Sequence, residues 1–430
     1  MRSRLLVLGS GELGAACALS LLANGVGVRS DVVLAGRDRD YVHDLQHGSR
    51  TFRLGDRRIC VPSGLSACAM DDGAAVLGGD GAVDAVSVCV PATCLESDGD
   101  ELPLVVKCIE PHVEVPTLLF TRGFTRCGLT PLEKLRQVLG PRQPKLLVVS
   151  GPLFAREWAA VSTPPYGVAD NGSSSSGSNN GVTLSFAAAV DVDTGARCLL
   201  QQLTERLWWR ECVTWVDDPL SAEVLSLVNG CVPLCSMGAG LVSNEYPGSV
   251  SALTSYMQHA VGATEKLVND VLGRPLGTPL PACALSTIAM ACTNYAAREF
   301  AFGRRLDYHF RHRDALRATF PDRSYEPLDA TVAGLHTLLG RRVVSSPFYE
   351  VLMDAFLTLL RASVAGRELV RTGHYEYRDG VRDENATLLR HALAVDSAVV
   401  SGDEQRFDEA RRLLQEAFEA GCDAPAMRSP

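Results

Sequence analysis

Six residues near the N-terminus, Gly9-Ser10-Gly11-Glu12-Leu13-Gly14, constrain the fold more than any other feature of the chain. They follow a short apolar run, Arg4–Leu8, and precede an apolar helical stretch from Ala15 to Ala23. The first glycine of such a G-x-G-x-x-G pattern permits a tight turn. The second lets the backbone approach a pyrophosphate, and the third lets the helix pack closely on the strand. A pyrophosphate then rests on the free N–H groups and the positive end of the helix. The spacing alone does not define a dinucleotide site; the strand before it and the helix after it supply the context. Gly9, Ser10, Gly11, Glu12, Leu13 and Gly14 are therefore candidate cofactor-binding residues.

The next strand candidate, Asp31–Ala35, closes on Gly36-Arg37-Asp38. A carboxylate at the end of this strand usually receives the adenosine ribose. Here Arg37 suits either adenine stacking or a 2′-phosphate, and Asp38 comes one residue late, so NAD and NADP both stay open. Each residue also reads as part of a solvated pair in a turn. Further apolar runs at Ala85–Val90, Thr117–Phe120 and Lys145–Val149 alternate with helical stretches, which predicts a parallel α/β sheet. Asp170–Gly181, DNGSSSSGSNNG, has nothing to bury and reads as a flexible insertion at 170–181. After about Asp217 the pattern turns helical, at Ser221–Leu241, Ser249–Leu272, Leu285–Leu306, Leu328–Leu339 and Pro347–Ala365. This predicts a Rossmann-type domain over 1–216 and a mostly α-helical domain over 217–430. Asp403–Ala420 reads as a solvated terminal helix.

Composition sets outer bounds. The 430 residues, 46% of them hydrophobic, can bury a large core, and the net charge of −9 argues against a nucleic-acid or anionic-membrane partner. The 14 cysteines include no C-x-x-C pair, so no metal site is expected. The first strand begins within a few residues of Met1, so no signal peptide is expected. No uninterrupted apolar run reads as a bilayer span, and the C-terminus, Arg428-Ser429-Pro430, lacks an S-K-L address. A cytoplasmic protein is the expectation, and the apolar helices are compatible with a homodimer. Among 41 basic residues only Lys107, Lys134, Lys145 and Lys266 are lysines, so chemistry that needs an ammonium has few candidates.

Several segments, in order, resemble the NAD-dependent glycerol-3-phosphate dehydrogenases. Gly9–Gly14 matches their nucleotide loop, Leu34–Asp38 their L-W-G-R-D, Val90-Pro91-Ala92 their V-P-S turn, and Thr121-Arg122-Gly123-Phe124 their T-K-G-I. Ser150-Gly151-Pro152-Leu153-Phe154-Ala155-Arg156-Glu157 resembles S-G-P-x-F-A-x-E, the most specific match. Glu223 and Asn229 fit the G-V-E…K-N helix. Asn244, Cys292-Thr293, Arg298, Ser324-Tyr325-Glu326 and Pro347 fit later motifs, so the likeness covers about residues 4–365. The resemblance implies a Rossmann domain followed by a helical domain, as in 6-phosphogluconate dehydrogenases. It implies hydride transfer between NADH and dihydroxyacetone phosphate, with Arg37, Pro91, Ala155, Arg298 and Glu326 joining the nucleotide loop in holding the cofactor. Arg122, Asn229, Arg298 and Glu299 fall at substrate positions. A carbonyl that receives hydride needs a proton donor beside its oxygen, and arginine forks suit its phosphate.

The departures fall where that chemistry would occur. The family's acid/base lysine position is Val228, its T-K-G lysine is Arg122, its aspartate aligns with Thr287, and the threonine after it with Ala291. Glu299 puts a carboxylate near the expected phosphate. His259 or Lys266 could stand in as a relocated acid, although both also read as surface positions of a helix. Three functions follow for test: an active or weakly active oxidoreductase of this family, a non-catalytic dinucleotide-binding relative acting as sensor or partner, and a ketopantoate-reductase-like enzyme. The last also needs a lysine that Val228 does not supply.

Overall fold

The computed structural model describes residues 3–25, 30–55, 57–62, 64–72, 83–96, 101–140, 145–162, 181–189, 192–304, 326–353 and 355–356. Residues 170–180 of the expected insertion, the expected helix Asp403–Ala420, and residues 357–365 of the expected helix Pro347–Ala365 lie outside these. The chain gathers into two compact units. The first is built from segments within Met1–Thr125, Leu129–Gly230 and Pro281–Met290; the second is built from Arg126–Gly128, Cys231–Leu280 and segments from Ala291 onward.

Among the described residues the first unit holds ten strands: β1 Ser3–Leu8, β2 Ser30–Gly36, β3 Thr51–Leu54, β4 Arg57–Cys60, β5 Leu65–Ala69, β6 Val83–Val88, β7 Pro116–Leu119, β8 Lys145–Ser150, β9 Thr183–Ala188 and β10 Cys212–Trp215. Eight form one sheet in the order β10-β9-β8-β7-β6-β1-β2-β5, and β3 pairs with β4 in a separate antiparallel hairpin. Every neighbouring pair in the large sheet is parallel except β8 with β9. From β1 the chain builds outward through β2 to β5, then returns to β6 on the other side of β1. That reversal places the topological switch point between β1 and β6, where open α/β sheets bind their ligands. The strands are Val- and Leu-rich, and in β1 Leu5, Leu6, Val7 and Leu8 are all buried, as expected of parallel strands covered on both faces.

The described helices of this unit are α1 Glu12–Ala23, α2 Arg39–His47, α3 Leu104–Ile109, α4 Pro131–Leu139, α5 Ala155–Ser162, α6 Thr194–Leu207, the first part of α7 Ser221–Glu245 and, after a helix of the second unit, most of α9 Ala282–Thr293. Gly14 through Leu21 of α1 are all buried, because small residues let a helix that is apolar all round sink between its neighbours. Helix α4 starts at a capping box, in which Thr130 and Glu133 satisfy each other's backbone N–H, with Pro131 in the first turn. Glu223 of α7 forms a 2.7 Å ion pair with Arg136 of α4. Helix α7 is, by length and composition alone, apolar enough to cross a membrane (mean hydropathy 1.6). Its Gly, Ser and Asn positions hide this in the sequence. Of its apolar window 89% is buried inside the protein, so it is a core helix.

The second unit continues α7 and adds α8 Val250–Leu272, capped by Ser249, the remainder of α9 Ala282–Thr293, α10 Arg298–Arg304 and α11 Glu326–Arg342. Residues 347–353 and 355–356 are also helical. The segment expected as one helix over Leu285–Leu306 is two. Asn294 breaks it, its side-chain oxygen accepting the N–H of Ala296 (3.1 Å) and so offering the backbone a turn in place of the helix. Helices α7 and α10 meet backbone to backbone at Gly303, where a Cβ would lie 1.9 Å from the carbonyl oxygen of Met237.

Candidate functional site

Two clusters of the first unit carry the residues singled out from the sequence. The first is the loop between β1 and α1. Gly9 has φ +115°, its N–H donates to Ala35 O (2.8 Å), and a Cβ there would sit 2.7 Å from Cys89 O. Gly14 packs so tightly that a Cβ would lie 1.7 Å from Gly9 O. Gly11 is different, because a Cβ there would meet nothing within 4 Å. It is the N-cap of α1 and supplies no side-chain bond to the helix's first N–H groups. Two glycines thus bring strand, turn and helix together, while the third leaves open space beside an uncapped helix start. This arrangement fits a pyrophosphate. Ser10 lies against the end of β2, where a Cβ on Gly36 would be 2.4 Å from its Oγ, and Leu13 packs on the core.

Other expected cofactor residues gather on the same sheet. Pro91 follows β6 and is exposed, opening the short 3-10 turn Ala92–Leu95. Ala155 follows β8 as the buried first residue of α5. Arg37 is exposed just beyond β2. Asp38, weighed as a ribose partner, caps α2 by accepting the N–H of Tyr41 (3.0 Å). Glu12 is held by Arg156, with guanidinium–carboxylate distances of 3.0–3.2 Å, and accepts the N–H of Gly55 at 2.9 Å. Arg156 and Gly55 are absent from the sequence-based set. Only their separation from Glu12, 144 and 43 positions along the chain, hid them.

The second cluster surrounds Asn229. Ser150 Oγ donates to Asn229 Oδ1 (2.9 Å), and Asn229 Nδ2 donates to Val149 O (2.9 Å). Thr287 Oγ1 accepts the N–H of Gly151 (2.9 Å), lies 3.0 Å from Ser150 Oγ, and reaches Cys283 O at 2.7 Å. Ser150 and Thr287 each have one hydroxyl proton, and Asn229 Oδ1 and Cys283 O are the acceptors that compete for them, so either hydroxyl can donate at the Ser150–Thr287 contact. Every hydroxyl here is committed inside the cluster, and Ser150, Asn229 and Thr287 are all buried. Pro233, one turn after Asn229, has no N–H, so the carbonyl of Asn229 is left to accept the N–H of Gly123 (3.2 Å). That bond ties the Thr121–Phe124 loop to α7. Arg122 in the same loop donates from Nη2 to Leu153 O (2.7 Å). Val228 is completely buried, as is Thr287, and Ala291 nearly so. Burial pushes the Cys283 thiol up, which keeps it neutral.

The remaining candidates belong to the second unit. Arg298 begins α10 and is exposed, Glu299 is half-buried beside it, and Glu326 begins α11. Burial lowers His259, and Lys266 is paired with Asp270 one turn on (3.1 Å) and with Ser345 O (3.4 Å). Among the described residues no group of three His, Cys, Asp or Glu side chains is placed to hold a metal ion.

No family model matches the sequence, and none of the curated proteins does. Solved structures do share the fold. DsGPDH of Dunaliella salina aligns with a TM-score of 0.61 at 12% identity, over 84% of this chain and 60% of that one, so the match spans under two thirds of the Dunaliella protein. Glycerol-3-phosphate dehydrogenase of Saccharomyces cerevisiae aligns with 0.55 at 15% identity, over 82% and 95%. That of Plasmodium falciparum aligns with 0.56 at 14%, over 88% and 97%. The chain therefore has the fold of the NAD(P)-dependent dehydrogenases, a Rossmann-like sheet followed by a helical region. Within that class the fold it shares with these neighbours is that of glycerol-3-phosphate dehydrogenases.

Proposed function

We propose that this protein binds a nicotinamide dinucleotide at Gly9–Gly14 and is a glycerol-3-phosphate dehydrogenase-like protein whose turnover of dihydroxyacetone phosphate is weak or absent. The observation that carries this reading is the neutral cluster at Ser150, Asn229 and Thr287, beside a buried valine at 228. Reduction of a ketone leaves negative charge on oxygen, and that charge calls for a positioned donor. At the positions where the related enzymes would place an ammonium and its carboxylate, this chain has a valine and a threonine whose hydroxyl is spent on Ser150, Cys283 and Gly151. The dinucleotide, when bound, would supply the hydride. The chain's own residues would hold its pyrophosphate on the α1 N-terminus and its remaining parts near Arg37, Pro91 and Ala155. Arg122 and Asn229 would face a small phosphorylated ligand. On this reading the protein is a sensor of the dinucleotide, or a partner of an active relative.

The test is a binding and a turnover measurement on the same sample. Calorimetric titration with NADH and NADPH should give saturable binding of at least one of them. Oxidation of that cofactor with dihydroxyacetone phosphate should run about 10²–10⁴ below an ordinary dehydrogenase, the usual cost of losing a positioned acid. Turnover at ordinary rates would overturn the loss of chemistry, and Lys266 and His259 would then be the variants to make.

A further inference from the structure

We propose that Arg156 and the Gly55 turn form a clamp that neutralises Glu12 so that the nucleotide loop can accept a pyrophosphate. This rests on the reading of Gly9–Gly14 as a dinucleotide loop. Glu12 is the first residue of α1 and lies between the second and third glycines. It places a carboxylate in the turn where a doubly charged pyrophosphate would rest. Left alone, like charges that close would oppose binding. The fold answers with donors from two distant segments. Arg156 on α5 spans both carboxylate oxygens from Nε (3.2 Å each) and adds a 3.0 Å bond from Nη2, and Gly55 adds its N–H at 2.9 Å.

The turn between β3 and β4 is shaped for this. Gly55 has φ +61°, and a Cβ there would lie 2.5 Å from Cζ and Nη1 of Arg156. Any side chain would displace the guanidinium. The pair is only partly sheltered, with 30% and 23% of the two side chains exposed, and ion pairs of that kind contribute little to stability. Its consequence is therefore electrostatic. Arg156 is a positioning residue: it fixes the charge and direction of Glu12.

The experiment is a cycle on the full chain, with NADH affinity by calorimetry and thermal midpoints recorded for each variant. Arg156→Met should weaken NADH binding about tenfold, because Glu12 then keeps only the N–H of Gly55. Glu12→Gln is the reference of the cycle, since it removes the charge that Arg156 answers. The Glu12→Gln/Arg156→Met double variant should recover most of the loss, and Arg156→Lys should keep most of the affinity. A double variant as weak as Arg156→Met would overturn the proposal, since Arg156 would then act other than through Glu12. So would an Arg156→Met variant that binds as wild type does. If Arg156→Met does not fold, Arg156→Lys decides: a large loss overturns the clamp, and near-wild-type binding supports it. Failure of the wild-type chain to bind any dinucleotide would instead overturn the parent reading.

Discussion

Position 228 tests the loss of chemistry at the level of one side chain. Val228 is fully buried, and the polar groups nearest it in sequence and fold, Asn229 and Thr287, are satisfied by backbone and by Ser150. A lysine there would bring an ammonium into a place with no carboxylate in the Asn229 cluster. Val228→Lys should lower stability by about 3 kcal/mol or more, read as a drop in thermal midpoint, and should not restore turnover. Full turnover in that single variant would mean that the rest of a working site is intact. The residues of this cluster were legible in the sequence because Ser150, Asn229 and Thr287 each fall inside a short motif. What the sequence hid is how they spend their hydrogen bonds. Asp38 comes one residue late for a ribose partner, and its carboxylate caps a helix, the use that a carboxylate just before an N-terminus most often finds. Arg156 stood in view within a motif, and its meaning came only from Glu12 and Gly55 folding beside it.

Among elements, the strands seen first were the apolar ones near the switch point, β1, β2, β6, β7 and β8. The strands β3, β4 and β10 have four residues each, and the alternation of β3 and β10 is too short to stand out in the sequence; β10 is nowhere fully buried. A buried carboxylate helps to hold the segment before β10 in place. Glu211 is 4% exposed and accepts from Ser20 and Asn24 of α1 (the latter at 2.9 Å) and from Trp158 Nε1 of α5 (3.2 Å). No cation faces it among these partners; three neutral donors share its charge. Glu211→Leu should therefore cost about 3 kcal/mol, because three buried donors lose their acceptor together. The nucleotide loop is built from other residues, so at a temperature where the variant is folded NADH affinity should stay within about threefold of wild type. Calorimetric unfolding beside NADH titration checks both. A variant as stable as wild type would mean that the donors find other acceptors.

For the molecule as a whole, the order of sheet then helices was legible because hydrophobic periodicity changes along the chain. The parting of the two contact units at Gly230 was not, since helix α7 runs through it without a break in pattern. Each unit carries a half-buried histidine that responds to acid in the same direction. His112 in the first unit and His259 in the second are both pushed below the ordinary value of 6.5 by burial. A histidine whose folded value is depressed binds its proton more readily in the unfolded chain. Its penalty is absent well above 6.5 and grows as the pH falls from there toward the lower folded value. The carboxylates Asp44, held down chiefly by the N–H of Ser49, and Asp71, held down chiefly by Arg39, act in a separate and lower window, below their ordinary 3.8. Between about pH 7 and pH 5.5 the thermal midpoint should therefore fall by a few degrees, and the slope should come from the histidines rather than these carboxylates. A His112→Asn/His259→Gln variant should flatten that slope. An equally steep decline in the double variant would assign the acid sensitivity to other groups.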